Sequence, residues 1–261
     1  MTRYAVSDLH GQLDLYNQIK EYINDTDYLY VLGDCSDRGP EPWRTLQTII
    51  DDPQCILLMG NHEHMFWRAA EKVLEMTEGK IEDFVEDPTY YRYNPSGQRS
   101  PLELLDINGG WQTLIQWAQE PNYMYYYDVI RGLPLDLRLP TADGEHYIYL
   151  SHAGYNPGEY RLPIRDFVWD RYHYCNQWND AYSGDIIVHG HTPLPHMKWE
   201  FDWRETPYDT GKDEDYFVYD RNFKYDIDLG AHYTGRTCLL NLDTLEPKVF
   251  ETEIKSDDLH S

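Results

Sequence analysis

The chain has 261 residues, and 46 acidic against 22 basic side chains give it a formal net charge of −24. Hydrophobic residues make up 41% of the sequence and aromatic residues 15%, which argues against a disordered chain. The charge argues against general DNA or RNA binding, because it repels a phosphate backbone. No apolar run approaches the roughly 20 residues of a membrane span, and the N-terminal residues lack the basic and apolar blocks of a secretory signal. We therefore expect a cytoplasmic protein with no membrane partner, and the pattern favours no particular oligomeric state.

Short β-prone runs alternate with amphipathic segments in the first third of the chain, a pattern typical of βαβ units and a mainly parallel sheet. The predicted elements there are, in chain order, a strand over 3–6, a helix over 12–23, a strand over 28–32, a helix over 42–50, a strand over 54–59 and a helix over 63–74. The first helix carries Leu13, Tyr16, Ile19 and Ile23 at intervals of three or four, which gives it one apolar face. This region predicts an α/β fold.

Residues 77–108 interrupt the alternation with prolines and a glycine among acidic and tyrosine residues. We predict a lid-like insertion here, and a second one over 199–216, within a single domain that spans 1–261. The other predicted elements are a helix over 111–119, strands over 146–151 and 185–189, and antiparallel strands over 217–219, 225–229, 237–242 and 248–252 that imply a second sheet.

Residues able to bind a metal ion follow the predicted strands. Asp8 and His10 lie two positions apart, so strand alternation points both side chains to one side. The full candidate set is Asp8, His10, Asp34, Asn61, His152 and His191. Because open α/β sheets bring the carboxyl ends of their strands together, all six can meet in one cleft. Imidazole nitrogen with carboxylate and amide oxygen, without thiolate, suits Mn²⁺, Fe or Zn²⁺.

The order of the motifs carries a family resemblance. They are SDLHG at 7–11, GDCSDRG at 33–39, GNHE at 60–63, SHAG at 151–154, VWDR at 168–171 and GHT at 190–192. This set resembles the phosphoprotein phosphatase type of calcineurin-like metallophosphatase, in particular the small bacterial and phage serine/threonine phosphatases and the symmetrical diadenosine tetraphosphatases. The resemblance implies a β-sandwich of mixed sheets flanked by helices.

By the same resemblance, two divalent metal ions bind in this cleft. Asp8, His10 and Asp34 would hold one ion, and Asp34, Asn61, His152 and His191 the other, with Asp34 bridging. Mn²⁺ is the favoured ion, with Fe or Zn²⁺ as alternatives. Two cations roughly 3.5–4 Å apart can activate a bridging water, so the resemblance implies direct attack of a metal-bridging hydroxide on phosphorus.

Further polar residues of the motifs have implied roles in substrate binding and proton transfer. Arg38 and Arg171, together with Asn61, would bind the phosphate oxygens, which explains how an anion enters so acidic a protein. His62 would act as general acid for the leaving oxygen, with the Asp37 carboxylate keeping its imidazole protonated. His189 is expected to pack rather than bind metal, and Glu63 to begin a helix.

The sequence thus predicts a binuclear-metal phosphatase acting on phosphoserine, phosphothreonine or related phosphoesters. A dinucleoside polyphosphate hydrolase is the alternative, so the expected partner is a phosphorylated protein or a nucleotide. A shallow cleft would favour the protein, whereas a deep one walled by the two insertions would favour the nucleotide. A catalytically silent metal-binding interaction module is a further alternative, which the complete ligand set and the Asp37–His62 pair argue against.

Overall fold

Two sheets of five strands each form the framework within the described residues of this computed structural model, which are 1–92, 100–154, 163–171, 185–194, 217–219 and 224–254. The strands of the first sheet are β1 (Arg3–Val6), β2 (Tyr28–Val31), β3 (Cys55–Leu57), β9 (Arg236–Asn241) and β10 (Pro247–Glu251). Those of the second are β4 (Asp136–Pro140), β5 (Tyr147–Ser151), β6 (Ile186–His189), β7 (Phe217–Tyr219) and β8 (Lys224–Asp226). The strand orders are β10-β9-β1-β2-β3 and β4-β5-β6-β8-β7.

Parallel pairing in the first sheet agrees with the predicted βαβ units. β1 runs parallel to β2, with Arg3 opposite Tyr28, and β2 runs parallel to β3, with Leu29 opposite Cys55. The prediction that the C-terminal strands form one antiparallel second sheet is wrong. β9 and β10 are antiparallel but extend the first sheet, while β8 joins the second sheet parallel to β6, with Val188 opposite Tyr225. Strand partners depend on contacts distant in sequence, which local patterning does not specify.

Helices flank the sheets, so the architecture is the mixed α/β one that was expected. Their bounds are α1 (Leu13–Tyr22), α2 (Pro42–Asp51), α3 (Asn61–Met76), α4 (Ile81–Glu86), α5 (Pro88–Arg92), α6 (Pro101–Ile107), α7 (Trp111–Ala118), α8 (Tyr123–Arg131), α9 (Ile164–Trp169) and α10 (Ala231–Thr234). Within the described ranges, none of these helices has the length and apolar character needed to cross a membrane. The sequence analysis missed α8, because most of its residues are tyrosine, aspartate, valine and isoleucine, which are weaker helix formers.

The first sheet is buried on both faces, and strand alternation explains how. Leu29 and Val31 of β2 pack into an apolar cluster shared with α1, α2 and α3. The intervening Tyr30, and Leu32 just beyond the strand, belong instead to a second cluster that the two sheets share. The sheets therefore pack face to face, with helices covering the outer face of the first sheet.

The insertion over 77–108 contains α4, α5 and α6, and residues 93–99 within it lie outside the described ranges. Pro88 and Pro101 stand at the first positions of α5 and α6, where a proline does not disturb helical hydrogen bonding. Phe84, Leu102 and Leu105 are buried against the main core. The described part of this insertion is thus packed helix, and its action as a lid stays a prediction. The insertion over 199–216 lies outside the described residues.

Candidate metal centre and active site

The backbone of the candidate site has an unusual conformation. Six of the eight described non-glycine residues with positive φ are site residues, namely Asp8, His10, Asp34, Asp37, Arg38 and His191, with φ from 42° to 73°. This left-handed conformation costs a non-glycine residue free energy, about 1–3 kcal/mol in unfavourable cases. Such residues cluster where tertiary structure holds side chains in a functional arrangement. The loops after the strands therefore stabilise side-chain positions that the backbone alone disfavours.

Two groups of buried ligand atoms meet at Asp34. One ligand atom from each of His10, Asp34 and His62 lies within 4.8 Å of the others, and the same holds for Asp34, His152 and His191. Asp34 belongs to both groups, and it is only 2% exposed. The arrangement offers two adjacent places where a cation could be held by nitrogen and oxygen atoms.

Backbone carbonyls fix the orientation of two of these imidazoles. His10 Nδ1 donates to the Ser36 carbonyl at 2.9 Å, and His152 Nδ1 donates to the Leu32 carbonyl at 2.8 Å. The Nε2 atoms therefore point toward Asp34, at 3.7 Å from Oδ2 for His10 and 3.4 Å from Oδ1 for His152. A metal-binding histidine commonly has its second nitrogen fixed in this way.

Asp34 and His152 form an ion pair in which the carboxylate stabilises a positive charge on the buried imidazole. Burial alone would lower the pKa of His152, but the Asp34 carboxylate raises that pKa to about 9. Burial alone would raise the pKa of Asp34, but His152, His62 and His10 hold it well below its usual value. The Asn61 side-chain oxygen accepts from His152 Nε2 at 2.9 Å, so it also faces this position. A divalent cation can take over the charge that the Nε2 proton supplies.

His191 provides the clearest sign that a ligand belongs here. Its Nε2 is buried without a hydrogen-bond partner among the described residues. Buried polar atoms are nearly always satisfied, and a ligand atom of His191 lies within 4.8 Å of one from Asp34, so the unpartnered imidazole nitrogen favours a site for a cation. The donor set of imidazole and carboxylate thus fits the divalent metals that the sequence analysis implied.

Asp8 lies beside these groups rather than within either of them. Its Oδ2 accepts a hydrogen bond from the backbone N–H of His191 at 2.9 Å and another from the Ser7 hydroxyl. Asp8 therefore connects the loop after β6 to the loop after β1. Burial, with the nearby Asp34 carboxylate, raises the pKa of Asp8 to about 6. His62 occupies the third place in the group for which the resemblance implied Asp8.

His62 is held between an acid and a guanidinium. Its Nδ1 donates to Asp37 Oδ2 at 2.7 Å, and Arg38 Nη2 donates to its Nε2 at 2.8 Å. Arg38 Nη1 also lies 3.2 Å from His10 Nε2, so one guanidinium spans two histidines at the entrance to the centre. His62 and Asp37 are both fully buried.

Arg171 lies next to the loop that carries His191. Its side chain is exposed, and Nη1 donates to the Thr192 hydroxyl at 2.7 Å. His189, in contrast, is fully buried outside the two metal-binding groups, where burial lowers its pKa to about 3.

Glu63 has a larger role than its sequence position indicated. Its carboxylate accepts three backbone N–H groups, from Asp34 at 2.7 Å, Cys35 at 2.9 Å and Gly60 at 3.1 Å. Burial, with the neighbouring Asp34, raises the pKa of Glu63 to about 7. The acid therefore holds together the loops after β2 and β3. A glutamate three positions after Gly60 is the spacing of a capping box, which was the available signal.

Thr113 and His232 were also missed. The Thr113 hydroxyl donates to Asp37 Oδ1, and the ring of His232 lies edge-on to His10 with 5.2 Å between centroids. Neither residue belongs to a metal-binding pattern along the sequence, because both contacts arise only in the folded chain.

A cavity of about 840 Å³ adjoins Arg38. Its lining includes Arg38, Arg92, Asp106, Trp111, His232 and Tyr233. Arg92 donates to both carboxylate oxygens of Asp106, at 2.6 and 2.7 Å, and lies over the Trp111 ring at 5.5 Å from its centroid. The insertion over 77–108 thus contributes one wall of a recess beside the candidate centre.

Comparisons with known proteins place these observations in context. The model of the calcineurin-like phosphoesterase family matches residues 1–232. A curated relative, class 3 fructose-1,6-bisphosphatase of Staphylococcus saprophyticus, is 46% identical over 44 residues, which are 17% of this chain and 7% of that protein. The chain therefore corresponds to a small part of this relative's length.

Solved structures share the fold at low sequence identity. A putative diadenosine tetraphosphatase superposes with a TM-score of 0.59 and 14% identity over 96% of this chain and 93% of its own. A metallophosphoesterase from Sphaerobacter thermophilus gives a TM-score of 0.52 and 15% identity, covering 99% and 90%. A protein serine/threonine phosphatase from Saccharomyces cerevisiae gives 0.52 and 11%, covering 98% and 82%.

Proposed function

Because the chain belongs to the calcineurin-like phosphoesterase family, we propose that it is a binuclear-metal phosphatase that hydrolyses phosphoserine, phosphothreonine or related phosphoesters. The observation that supports this proposal is the pair of buried ligand groups that share Asp34. The family supports metal-dependent hydrolysis of phosphoesters, and the identity of the substrate is the part we propose.

The metal-binding residues we propose are those implied by the sequence: Asp8, His10, Asp34, Asn61, His152 and His191. When bound, two divalent ions, with Mn²⁺ favoured over Fe or Zn²⁺, would activate water and neutralise charge that develops on the phosphoryl group. Asp34 would contact both sites, since it belongs to both ligand groups.

The remaining polar residues would bind the phosphate and supply a proton. Arg38 and Arg171, with Asn61, would donate hydrogen bonds to the phosphate oxygens. In the structure Arg38 Nη2 donates to His62 Nε2 at 2.8 Å. When Arg38 donates to the phosphate instead, His62 Nε2 would be able to carry a proton. As the bond between phosphorus and the leaving oxygen breaks, that oxygen takes the proton from His62, while Asp37 stabilises the charged imidazole.

The cavity beside Arg38 favours a second candidate function. Its volume of about 840 Å³ lies within the range typical of small-molecule sites, and the insertion over 77–108 forms part of its wall. A dinucleoside polyphosphate would place its second nucleotide there. A phosphoprotein needs no such recess, since its leaving group is one serine or threonine within a longer chain.

The test uses protein stripped of metal by chelation and reloaded with Mn²⁺, Fe²⁺ or Zn²⁺. Turnover is measured on a phosphoserine peptide, diadenosine tetraphosphate and an aryl phosphate. We expect Mn²⁺ to restore hydrolysis of the aryl phosphate, and the ratio of kcat/KM values for the other two substrates to identify the substrate class. Metal binding without hydrolysis of any substrate would contradict the proposal and support the silent interaction module.

Replacing the shared ligand gives a matched variant for the same assay. Asp34→Asn should lower kcat at least about 100-fold, and its metal content should fall. Mutating a residue that only hydrogen-bonds to a metal ligand already costs about 10–100-fold in metal affinity or activity, so loss of a shared ligand should cost more. Asp128→Asn, on the exposed side of α8, removes an equal charge away from the centre and should behave as the wild type. Wild-type turnover and metal content in Asp34→Asn would overturn the assignment of a shared ligand.

A further inference from the structure

A buried chain of hydrogen bonds links α7 to the imidazole of His62. The Thr113 hydroxyl donates to Asp37 Oδ1, and Asp37 Oδ2 accepts from His62 Nδ1 at 2.7 Å. All three residues are 0% exposed. We propose that Thr113 is a positioning residue that orients Asp37 toward His62 and thereby sustains proton transfer to the leaving oxygen. The role in catalysis rests on the proposed function, whereas the orientation of Asp37 does not.

The hydroxyl of Thr113 departs from the usual behaviour of a threonine on a helix. Thr45 and Thr48 on α2 donate to the carbonyls of Glu41 and Arg44, and Thr77, directly after α3, donates to the Val73 carbonyl, each four residues earlier. Such local bonds are the common choice for a hydroxyl on a helix. Thr113 instead donates to a carboxylate 76 positions away in the sequence.

The start of α7 is packed so closely on Asp37 that the hydroxyl has a fixed position. A Cβ added to Gly110 would lie 2.7 Å from Asp37 Oδ2 and 2.3 Å from a methyl carbon of Leu105. The Gly109 carbonyl also accepts a hydrogen bond from the backbone N–H of Arg38 at 3.3 Å. Because glycine allows this approach, Thr113 reaches the carboxylate from a rigid helix rather than from a loop.

Asp37 itself needs such support. It lies in the left-handed region, with φ of 69°, so its backbone does not favour this position. Its two carboxylate oxygens have separate donors, His62 on one and Thr113 on the other. Removing the hydroxyl would leave Oδ1 buried without that donor, and rotation of the carboxylate would then weaken the hydrogen bond to His62.

The dependence of the rate on the leaving group separates this role from a purely structural one. Thr113→Val keeps the shape of the side chain without its hydroxyl, and Thr113→Ser keeps the hydroxyl. Thr45→Val is the matched control, because Thr45 is also fully buried on a helix but its hydroxyl donates to a local backbone carbonyl, that of Glu41.

On a phosphoserine peptide, whose alkoxide leaving group needs a proton, kcat of Thr113→Val should fall about 10-fold or more. On 2,4-dinitrophenyl phosphate, whose leaving group departs without one, the loss should stay within about two-fold. Thr113→Ser should recover the first activity, and Thr45→Val should show no such selectivity. Equal losses on both substrates in Thr113→Val, or no loss on either, would overturn the proposal.

A measurement without turnover tests the orientation directly. In proton NMR spectra of the metal-free protein, the hydrogen-bonded His62 Nδ1 proton should give a downfield resonance, assigned by its absence from His62→Asn. Thr113→Val should shift or lose this resonance, whereas Thr113→Ser and Thr45→Val should keep it. An unchanged resonance in Thr113→Val contradicts the positioning role. If the wild type hydrolyses no phosphate at all, the proposed function fails and the resonance still decides the role of Thr113.

Discussion

The two sides of the site rest on different kinds of structure. On the metal side, Asp34 and His152 are at most 2% exposed and lie in short loops directly after strands, with the imidazole held by a backbone carbonyl. On the cavity side, Arg92 is 52% exposed and is held by side chains of α6 and α7. If the proposed function holds, we expect changes at the buried strand ends to impair the reaction on every substrate, and changes in the exposed insertion over 77–108 to affect only a substrate that reaches the cavity.

The largest effect in this comparison is expected for His62→Asn, a change on the metal side of the site. A general acid contributes about 10²- to 10⁴-fold, so we expect kcat to fall by that factor on a phosphoserine peptide. His62 Nε2 also lies 3.9 Å from Asp34 Oδ2, so the metal content must be measured with the rate. Retention of two metal ions with little turnover supports the acid. Loss of one ion would make His62 a ligand, and turnover like that of the wild type would contradict both roles.

Glu63→Gln tests the supports of the strand ends. An amide offers one acceptor oxygen where the carboxylate now accepts from three backbone N–H groups. The amide oxygen can keep the two N–H groups that now share Oε2, so one buried donor, the Cys35 N–H, loses its acceptor and the free energy of unfolding should fall by about 1–3 kcal/mol. Urea denaturation of the metal-free protein measures this change.

The control for that change lies on the same helix. The Glu71 side chain is 41% exposed and pairs with Arg68, so Glu71→Gln should alter the free energy of unfolding by less than about 1 kcal/mol. Equal stability of the Glu63 and Glu71 variants would show that the contacts of Glu63 do not stabilise these loops.

Arg92→Gln should have the smallest effect on stability and act on one substrate class. If the cavity holds a nucleotide, KM for diadenosine tetraphosphate should rise by at least about ten-fold, because one charge-assisted hydrogen bond of about 1.5 kcal/mol or more is lost. Turnover of a small aryl phosphate should not change, since this substrate does not reach the cavity wall. Steady-state kinetics on the two substrates separates these outcomes.

Arg68→Gln is a close match for this variant. Arg68 is 49% exposed, pairs with Glu71 and lies over the Trp67 ring at 5.6 Å, while Arg92 pairs with Asp106 and lies over Trp111 at 5.5 Å. The control should leave both kinetic constants unchanged. An identical response of the two variants would mean that the cavity does not select the substrate.

Much of the fold near the centre was predictable from local patterns. The β-prone runs that predicted strands over 3–6 and 28–32 are observed as Arg3–Val6 and Tyr28–Val31, and side-chain alternation along the second strand places Leu29 and Tyr30 in different apolar clusters. The predicted helix over 12–23 is observed as Leu13–Tyr22, with its apolar residues buried. By contrast, α8 was missed because burial of Tyr126 and Tyr127 stabilises a helix that its composition does not favour.

The sequence by itself determined which residues follow the strands, and so the types of side chain that can meet at the sheet edge. Only tertiary structure brings the members of each group together: one ligand atom from each of His10, Asp34 and His62 lies within 4.8 Å of the others, while the ligand role of Asp8 stays a proposal. It also decided that β9 joins the first sheet and that Thr113 reaches Asp37. Periodicity expresses the preference of each segment for one buried face, whereas these contacts depend on the packing of segments far apart in the chain.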